Sequence, residues 1–335
     1  MTFEERITAL APLGFTLRQT RFLVTVALHS GYCLRRQYLT FAGLRYGKNV
    51  RDFLDGLVSQ QLAQRFVYQA NRGHVYHLHA KSLYRALEQR DNRNRRQASP
   101  AAITRKLMVL DYVLTLPHAE WYATEEDKVA LFTRELGIPS GDLPSRVYAP
   151  KDRGRGATTR QFIHKLPVYR TGDRAVIHFV YLVNDATGRG LEQFLHDHVR
   201  LLGALPAWAV VAVCPRGLDG LPACRMVFTR FVSTTWRSPG DGLPDTRWFF
   251  ATRRRVESGD LRTLSVADLD RFREARRGFA SARMEALYGA WLTNGDRALD
   301  HADAPEPVMR VPVVQLVERE LPSTYSQFGS LPGVC

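Results

Sequence analysis

The sequence predicts an α+β fold, and three features of the 335-residue chain support that class. Apolar residues recur at helical spacing through the N-terminal segment, and two short runs of strand-forming residues follow them. The rest of the chain alternates strand-like and helix-like segments, which is typical of an α/β region built on a mixed sheet. The hydrophobic fraction of 45% is ordinary for a globular protein, so the chain can bury cores of its own.

Three helices are predicted between residues 16 and 60. The first begins at Thr16, whose hydroxyl has the spacing of a capping box to Gln19. The second is expected to start near residues 34–36. The third shows the clearest period in the chain, with apolar residues at i, i+3, i+4, i+7 and i+8. Those residues are Val50, Phe53, Leu54, Leu57 and Val58.

Two strand-like runs follow, at residues 64–69 and 74–80. They are joined by Asn71-Arg72-Gly73, which signals a hairpin turn because Asn and Gly tolerate positive φ. Three helices followed by a basic-tipped hairpin are the order of elements in a winged helix-turn-helix. In that module the third helix can lie in the major groove of DNA, while the hairpin, or wing, reaches the backbone or the minor groove. We therefore predict a module that binds double-stranded DNA.

The charge distribution agrees with a nucleic-acid partner. The chain has 47 Lys and Arg residues against 33 Asp and Glu residues, which gives a net charge of +14. Most of this excess lies in the first hundred residues, where sixteen residues are basic and six are acidic. A solvated surface of mixed sign would not concentrate charge in this way. We predict that the DNA-binding residues are Arg35, Arg36, Arg45, Lys48, Asn49, Arg51, Arg72 and His74.

Two acidic residues on the predicted third helix run against this expectation. Asp52 and Asp55 would face phosphate unless they pair with Arg51 or accept a hydrogen bond from a cytosine amino group. A winged helix used only for protein contacts would tolerate both carboxylates, and this is the alternative interpretation of the module.

Four regions are predicted along the chain. Residues 1–90 form the winged helix-turn-helix domain, and residues 91–99 form a polar, basic linker without periodicity. This linker either adds phosphate contacts beside the DNA-binding domain or acts only as a hinge. Residues 100–296 form a mixed α/β domain, which we expect to mediate dimerisation or another interaction. Residues 297–335 form a Pro-rich tail packed across the domain surface.

The mixed α/β domain is predicted from its helix signals and from the segments between them. Ser99-Pro100 occupies the favoured N-cap and N1 positions of a helix, and Ser265 caps the last long helix. A helix at residues 191–205 lies between two strand-like segments, which predicts an α/β crossover. The strand-like segments are 161–164, 175–184, 208–214, 225–231, 248–252 and, in the tail, 311–317.

Several classes of protein are disfavoured by the sequence. No run of 18 apolar residues exists, so we expect no membrane span. The first residues are acidic, whereas a signal peptide begins with a positive segment. The cysteines are scattered and lack zinc-site spacing; they are Cys33, Cys214, Cys224 and Cys335. We therefore expect a reduced, cytoplasmic protein without a cofactor or a metal site.

The chain resembles the replication-relaxation-like winged-helix DNA-binding proteins of bacterial plasmids and integrative elements. The resemblance lies in Arg18-Gln19-x-x-Phe22-Leu23, in the third helix ending at Leu57-Val58 ahead of a hairpin, and in His178-Phe179-Val180-Tyr181. It covers residues 15–90 more specifically than the rest of the chain. It implies a DNA-binding protein of a mobile element, acting in transcription, replication or mobilisation. It also implies that the α/β domain resembles a degenerate restriction-endonuclease-like fold.

The endonuclease likeness can be tested against the residues that the chemistry requires. Such an enzyme needs an acid on one strand and an acid-x-Lys triplet on the next, because the carboxylates hold Mg²⁺ and the lysine stabilises developing charge. His164 stands where the first acid is expected, and residues 179–183 contain neither a carboxylate nor a lysine. Asp173, Asp185 and Glu192 would have to form an atypical site. We therefore predict no catalytic residues.

The sequence thus predicts a non-catalytic DNA-binding protein, a transcriptional regulator or a replication or mobilisation accessory factor of a mobile genetic element. We expect it to act as a homodimer, because two winged helices can be presented to a palindrome. Two alternatives stay open: a metal-dependent nuclease with an atypical site, and a protein adaptor of the relaxosome type.

Overall fold

The computed structural model describes residues 1–67, 73–148, 158–162, 165–172, 176–235, 246–261, 264–276, 279, 282–300 and 312–325. Its contacts divide the chain into two compact units, one made of Met1–Arg225 with Val313–Cys335 and the other of Met226–Pro312. The first unit contains helices with a small antiparallel sheet, followed by a mixed five-stranded sheet. This arrangement confirms the predicted α+β class.

The N-terminal part of the first unit combines short helices with a three-stranded sheet. Its helices are α1 (Phe3–Leu10), α2 (Leu17–His29), α3 (Arg35–Ala42), α4 (Lys48–Ser59) and α5 (Lys81–Ala86), and its strands are β1 (Tyr32–Leu34), β2 (Ala63–Val67) and β3 (His74–Leu78). The strands are antiparallel in the order β1-β3-β2, so β2 and β3 pair as the sequence predicts. Residues 71 and 72 of the predicted turn lie outside the described residues.

Local sequence signals account for α2 and α4. The capping box of α2 is formed, since the Thr16 N–H donates to Gln19 Oε1 at 2.9 Å and the Gln19 N–H donates to Thr16 Oγ1 at 3.4 Å. Helix α4 buries the apolar stripe that its period predicts, and four residues of that stripe are at most 4% exposed: Val50, Phe53, Leu54 and Leu57. Both helices contribute to one hydrophobic cluster with α1, α3 and α5.

The segment predicted as a basic linker is held against the N-terminal helices. Arg93–Arg95 form a short 3-10 turn, and Asn94 Nδ2 donates to the carbonyls of Ala27 and Leu28 at 3.0 and 2.9 Å. These carbonyls belong to the last turn of α2, where a helix leaves its acceptors without intrahelical partners. Helix α6 (Pro100–Leu114) then packs against the N-terminal helices and against the five-stranded sheet. The segment therefore joins packed elements through its own polar side chains.

The five-stranded sheet has the order β10-β9-β8-β7-β4. The elements of this region are β4 (Glu120–Tyr122), α7 (Glu125–Val129), β5 (Ser145–Tyr148), β6 (Thr158–Gln161), β7 (Val168–Arg170), β8 (Ile177–Leu182), α8 (Arg189–Ala204), β9 (Ala207–Pro215) and β10 (Val313–Leu321). Strands β8, β9 and β10 are parallel, and β7 and β4 are antiparallel to their neighbours. Helix α8 is the predicted crossover between β8 and β9, and among the described strands β5 pairs with β6 alone. The strand predicted in the tail is β10, which forms one edge of the five-stranded sheet.

Two predicted strands, at residues 225–231 and 248–252, are wrong because both segments are helical. The helices after β9 are α9 (Leu221–Thr235), α10 (Thr246–Glu257), α11 (Val266–Ala275), α12 (Ala282–Asn294) and α13 (Arg297–Asp300). Short apolar runs do not distinguish a strand from a buried helix by periodicity alone. The long helix predicted from Ser265 has Ser265 as its N-cap, as expected, and the structure adds a capping box to Asp268. The helix ends at Ala275, however, and α12 is a separate helix.

The second unit has an aromatic core. The rings of Phe249 and Phe279 are stacked with centroids 4.0 Å apart, and Phe250 lies 5.2 Å from the ring of Tyr288. Aromatic pairs at such distances add to the free energy gained from burying their surface. This cluster accounts for the packing of α10, α11 and α12.

Two structural findings concern the cysteines and the possibility of a membrane span. Cys33, Cys214 and Cys224 are buried free thiols, and Cys335 lies outside the described residues. In the part of the chain that the structure describes, no helix is both long enough and apolar enough to cross a membrane.

Candidate nucleic-acid interface

The polar face of α4 is exposed, whereas its apolar face is buried. Lys48, Asn49 and Arg51 lie in its first turn, and all three are exposed. Gly47 is the N-cap and brings no side chain, so the first N–H groups of α4 receive no side-chain cap. Uncapped N–H groups and the positive end of the helix dipole favour an anion at this position. This end of α4 therefore combines two cationic side chains with unfilled hydrogen-bond donors.

Further cations lie near the start of α4. Arg35 is exposed at the first position of α3, and its guanidinium carbon lies 4.3 Å from the centre of the Tyr46 ring. The Tyr46 ring thereby fixes Arg35 beside the loop that leads into α4. Arg45 is exposed in the same loop. Among the described residues, none forms an ion pair with Arg45, Lys48 or Arg51.

The hairpin contributes a cation that the sequence patterns did not single out. Arg65 is exposed on β2, and its Nη1 lies 3.4 Å from Asp55 Oδ1 on α4. On β3, partial burial and the nearby Arg65 and Arg35 lower the pKa of His74 below its usual value. Arg35, Arg65 and His74 therefore share one electrostatic environment. The sequence offered Arg51 as one possible partner of Asp55, and the structure pairs Asp55 with Arg65.

An open groove borders the other flank of α4. It has a volume of about 970 Å³, and the start of α2 forms the opposite wall. Asn49 and Asp52 line it from α4, and Arg18 lines it from α2. Arg18 is exposed, and its Nη1 donates to the Ala42 carbonyl at 3.4 Å. A second basic side chain outside the predicted set thus lies beside α4.

Two of the predicted DNA-binding residues differ from the rest. Arg36 points to α6, where its Nη1 and Nη2 each donate to the Asp111 carboxylate at 2.6 Å. Its guanidinium is thus paired with a carboxylate of the same chain, so Arg36 does not belong to the exposed cations. Arg72, at the predicted tip of the hairpin, lies outside the described residues.

Of the three carboxylates considered for an atypical metal site, the structure describes two, Asp185 and Glu192. Asp185 Oδ1 accepts hydrogen bonds from the Thr187 N–H at 2.7 Å, the Thr187 hydroxyl at 2.6 Å and the Gly188 N–H at 3.2 Å. Glu192 lies in the first turn of α8. His164 and Asp173 lie outside the described residues. Within those residues, no group of three or more His, Cys, Asp or Glu side chains could hold a metal ion.

Comparison with protein families, curated proteins and solved structures gave no match for this chain. The resemblance to replication-relaxation-like proteins therefore rests on the sequence patterns alone. The candidate functional site in this part of the chain is the basic surface formed by α3, α4 and the hairpin.

Proposed function

We propose that the N-terminal part of the chain is a winged helix-turn-helix that binds double-stranded DNA. The observation that supports this best is the exposed first turn of α4, where cationic side chains surround uncapped N–H groups. The positive surface is extended by Arg35, Arg45 and Arg65. Of the two acids on α4, Asp55 is paired with Arg65, so its charge is partly offset.

In this proposal α4 enters the major groove with its N-terminus towards the DNA. An α-helix with side chains is about 10–12 Å wide, and the major groove of B-DNA is about 12 Å wide. Successive helical residues are about 100° apart, so Lys48 projects between Asn49 and Arg51. Lys48 and the free N–H groups of α4 contact phosphate, whereas Asn49 and Arg51 reach base edges on opposite flanks of the helix. Asn suits adenine and Arg suits guanine as bidentate partners.

The hairpin acts as the wing in the same proposal. Arg65 lies on its β2 strand and His74 begins its β3 strand, so both belong to the part nearest α4. Arg72 supplies a further positive charge at the turn. The wing contacts the phosphate backbone or the minor groove beside the site that α4 occupies.

We further propose that the protein is a cytoplasmic homodimer that regulates transcription, or assists replication or mobilisation, in a mobile genetic element. A single winged helix offers few base contacts, so a second copy on a palindrome raises affinity without any new type of contact. No catalytic step is part of this proposal. Light scattering of the full chain tests the dimer, and a monomer at high micromolar concentration would reject that part alone.

DNA binding is tested by fluorescence anisotropy with a labelled random duplex at low salt. We expect binding that weakens steeply with salt, with a slope of about −4 or steeper in log affinity against log salt concentration, because each neutralised phosphate contributes about −0.9. Selection of bound duplexes from a random pool then identifies the preferred sequence. No binding to any duplex at low salt would reject the proposal and leave a protein adaptor as the alternative.

A further inference from the structure

A cleft of about 670 Å³ opens in the first unit at the C-terminal end of α2. Its walls are the last turn of α2, described residues between Arg85 and Asn94, the start of α7, and a set of residues around β6 and β7: Arg160, Gln161, Phe162, Lys165 and Pro167. This volume lies within the range of small-molecule sites. The cleft shares no lining residue with the proposed DNA-binding surface. The cleft is therefore a separate surface from the one proposed to bind DNA.

Lys128 lines this cleft although the residue is only 1% exposed. Among the described residues, none forms a hydrogen bond or an ion pair with its Nζ, and the Phe162 ring centre lies 5.7 Å away. Burial lowers the pKa of Lys128 to about 8; the neighbouring Asp127 and Glu125 raise it and Lys165 lowers it further. An ammonium removed from water is costly unless it is paired. An anion in the cleft would supply the missing partner.

Further cations face the same space. Lys165, Arg93 and Arg160 line the cleft and are exposed to it. Burial, followed by the charges of Arg93 and Arg160, lowers the pKa of Lys165 to about 8; Arg96 lowers it slightly and Glu125 raises it. The fold therefore holds Lys165 beside Arg93 and Arg160 against the repulsion between their charges. A cleft with this property is a candidate binding site for a negatively charged ligand.

The acidic residues of the cleft do not neutralise these cations fully. Glu125 accepts the Gln161 N–H at 2.8 Å, and its other oxygen lies 3.7 Å from Arg160 Nη1. Glu126 accepts a hydrogen bond from Gln89 Nε2 at 3.1 Å. The remaining two acids, Glu88 and Asp91, are exposed to solvent. Within the part of the chain that the structure describes, no carboxylate forms an ion pair with Lys128 or Lys165.

Two additional observations mark the cleft as a binding site. His29 lines it, and its Nδ1 is buried without a hydrogen-bond partner among the described residues. Burial lowers the pKa of His29 to about 3, so the neutral ring can donate to a ligand or accept from it. Phe162 and Lys165 adopt φ values of 50° and 54°, in the left-handed region that non-glycine residues rarely occupy. Backbone strain of this kind clusters at functional sites.

We propose that this cleft binds a small phosphorylated molecule, with its phosphate held by Lys128, Lys165, Arg93 and Arg160. The guanidinium groups can bind phosphate oxygens in pairs, and the ammonium groups act as point charges. The cleft is larger than a phosphate group, so it also accommodates the organic part of the ligand. The rings of Phe162 and Tyr148 line the space for that part.

Asn94 connects the cleft to the proposed DNA-binding elements. It follows Arg93, and its amide holds the last carbonyls of α2. Its own carbonyl accepts a hydrogen bond from His77 Nε2 on β3 at 3.0 Å, so the same residue also holds the hairpin. A ligand that binds Arg93 acts on the segment that positions α2 and β3. This second step, a change in DNA affinity on ligand binding, rests on the proposed function.

Isothermal titration calorimetry of the full chain, without DNA, tests the site. The probes are inorganic pyrophosphate, ATP and, as a control without phosphate, adenosine. We expect pyrophosphate and ATP to bind and adenosine not to bind. Exchanging Arg93 and Lys165 together for Ala should weaken binding at least tenfold, because both side chains are exposed and the fold does not depend on them. The matched control is Arg189→Ala/Arg216→Ala, which removes two exposed cations outside both surfaces and should bind the probes as the parent does. The double variant Lys48→Ala/Arg51→Ala serves as the comparison for DNA binding.

A second measurement detects the protons taken up when the ligand binds. A bound phosphate raises the pKa of Lys128 and Lys165 from about 8, so binding of ATP, whose phosphates are already deprotonated at pH 8, takes up protons. The binding enthalpy at pH 8 should then differ between two buffers of different ionisation enthalpy. No binding of pyrophosphate or ATP at millimolar concentration overturns the proposal, and so does equal binding by the Arg93/Lys165 variant.

The DNA arm separates this proposal from the proposed function. If the Arg93/Lys165 variant loses duplex affinity as strongly as the Lys48/Arg51 variant, the cleft belongs to the DNA-binding surface and the small-ligand proposal is rejected. If the chain binds no duplex but binds pyrophosphate through Arg93 and Lys165, the proposed function fails and the phosphate site stands. A shift in duplex affinity on adding ATP supports the coupling through Asn94.

Discussion

Arg36 and Asp111 join α3 to α6 through two hydrogen bonds of 2.6 Å each. The Asp111 side chain is only 10% exposed, and the Tyr325 hydroxyl donates to the same carboxylate. A carboxylate that is nearly buried depends on such donors, because removing one partner of a buried pair leaves an uncompensated charge. The pair therefore stabilises the contact between the N-terminal helices and the sheet that α6 covers.

We expect Arg36→Ala to lower the free energy of unfolding by about 1–3 kcal/mol, because Asp111 loses its charged partner. The affinity of the folded protein for DNA should stay unchanged. Urea denaturation and anisotropy measure the two quantities. The matched control is Arg35→Ala, one residue earlier and exposed, which should weaken DNA binding while changing stability by no more than about 1 kcal/mol. A stable Arg36→Ala protein with weak DNA binding would restore Arg36 to the DNA-binding surface.

The first turn of α4 leads to a second prediction. Changing Lys48 and Arg51 together to Ala should cost about 2–4 kcal/mol in affinity for the selected DNA sequence. Lys48→Ala alone should weaken all sequences alike and reduce the salt slope by about 1, whereas Arg51→Ala should reduce discrimination between sequences. Arg189→Ala, an exposed cation at the start of α8, serves as the control. Parent-like binding by the double variant at matched salt would contradict the arrangement proposed for α4.

The contact between Gly31 and Asn94 leads to a third prediction. Gly31 has a φ of 75°, and a Cβ at this position would overlap the Asn94 carbonyl. Gly14 has a similar φ of 77° but faces open space, so it reports the conformational cost alone. We expect Gly14→Ala to lose about 1–2 kcal/mol of stability and Gly31→Ala to lose clearly more. Equal losses in urea denaturation would mean that Asn94 moves freely and does not hold α2.

The fold was predictable where one element carries its own signal. Helix α4 has a full apolar period over twelve residues, and its N-terminal boundary follows a glycine, so its burial agrees with the sequence pattern. The apolar run at residues 225–231 has no such signal, because four or five apolar residues suit a strand as well as a helix. Helix α1 was missed for a related reason: only Ile7 and Leu10 of its apolar side chains are buried, too few to reveal a period.

The candidate interface was predictable only in part, because pairing across elements decides the use of a side chain. Arg35 and Arg36 look alike in sequence, yet neighbouring helical residues point about 100° apart. Consequently Arg35 stacks on Tyr46 while Arg36 pairs with Asp111. Arg65 lies on a strand whose position beside α4 depends on the folded hairpin, so its contact with Asp55 has no sequence signal. Long-range contacts of this kind require the tertiary structure.

Lys128 leads to the last prediction, which concerns stability. Its pKa in the folded protein is about 8, against an ordinary value of 10.5. Below pH 8 the folded protein carries the full cost of the buried charge, about 3 kcal/mol from the size of the shift. Between pH 8 and 10.5 the unfolded lysine is still protonated while the folded one is neutral, so this cost disappears as pH rises. Lys128→Met should therefore be more stable than the parent at pH 7, by up to a few kcal/mol.

The difference in free energy of unfolding between Lys128→Met and the parent should narrow as pH rises from 8 to 10.5, because the parent then loses the cost of its buried charge. Taking the difference cancels the titration of all other groups. Pyrophosphate at pH 7 should also narrow this stability difference, because it binds the parent more tightly than the variant and so stabilises the parent more. The control is Lys106→Met. The pKa of Lys106 is likewise lowered to about 8 by burial, but its Nζ donates to the Ser30 carbonyl at 2.8 Å and to Asn94 Oδ1. Its loss leaves those acceptors unpaired, so Lys106→Met should be less stable than the parent. A Lys128→Met protein that is also less stable at pH 7 would mean that Lys128 already has a partner in the folded chain.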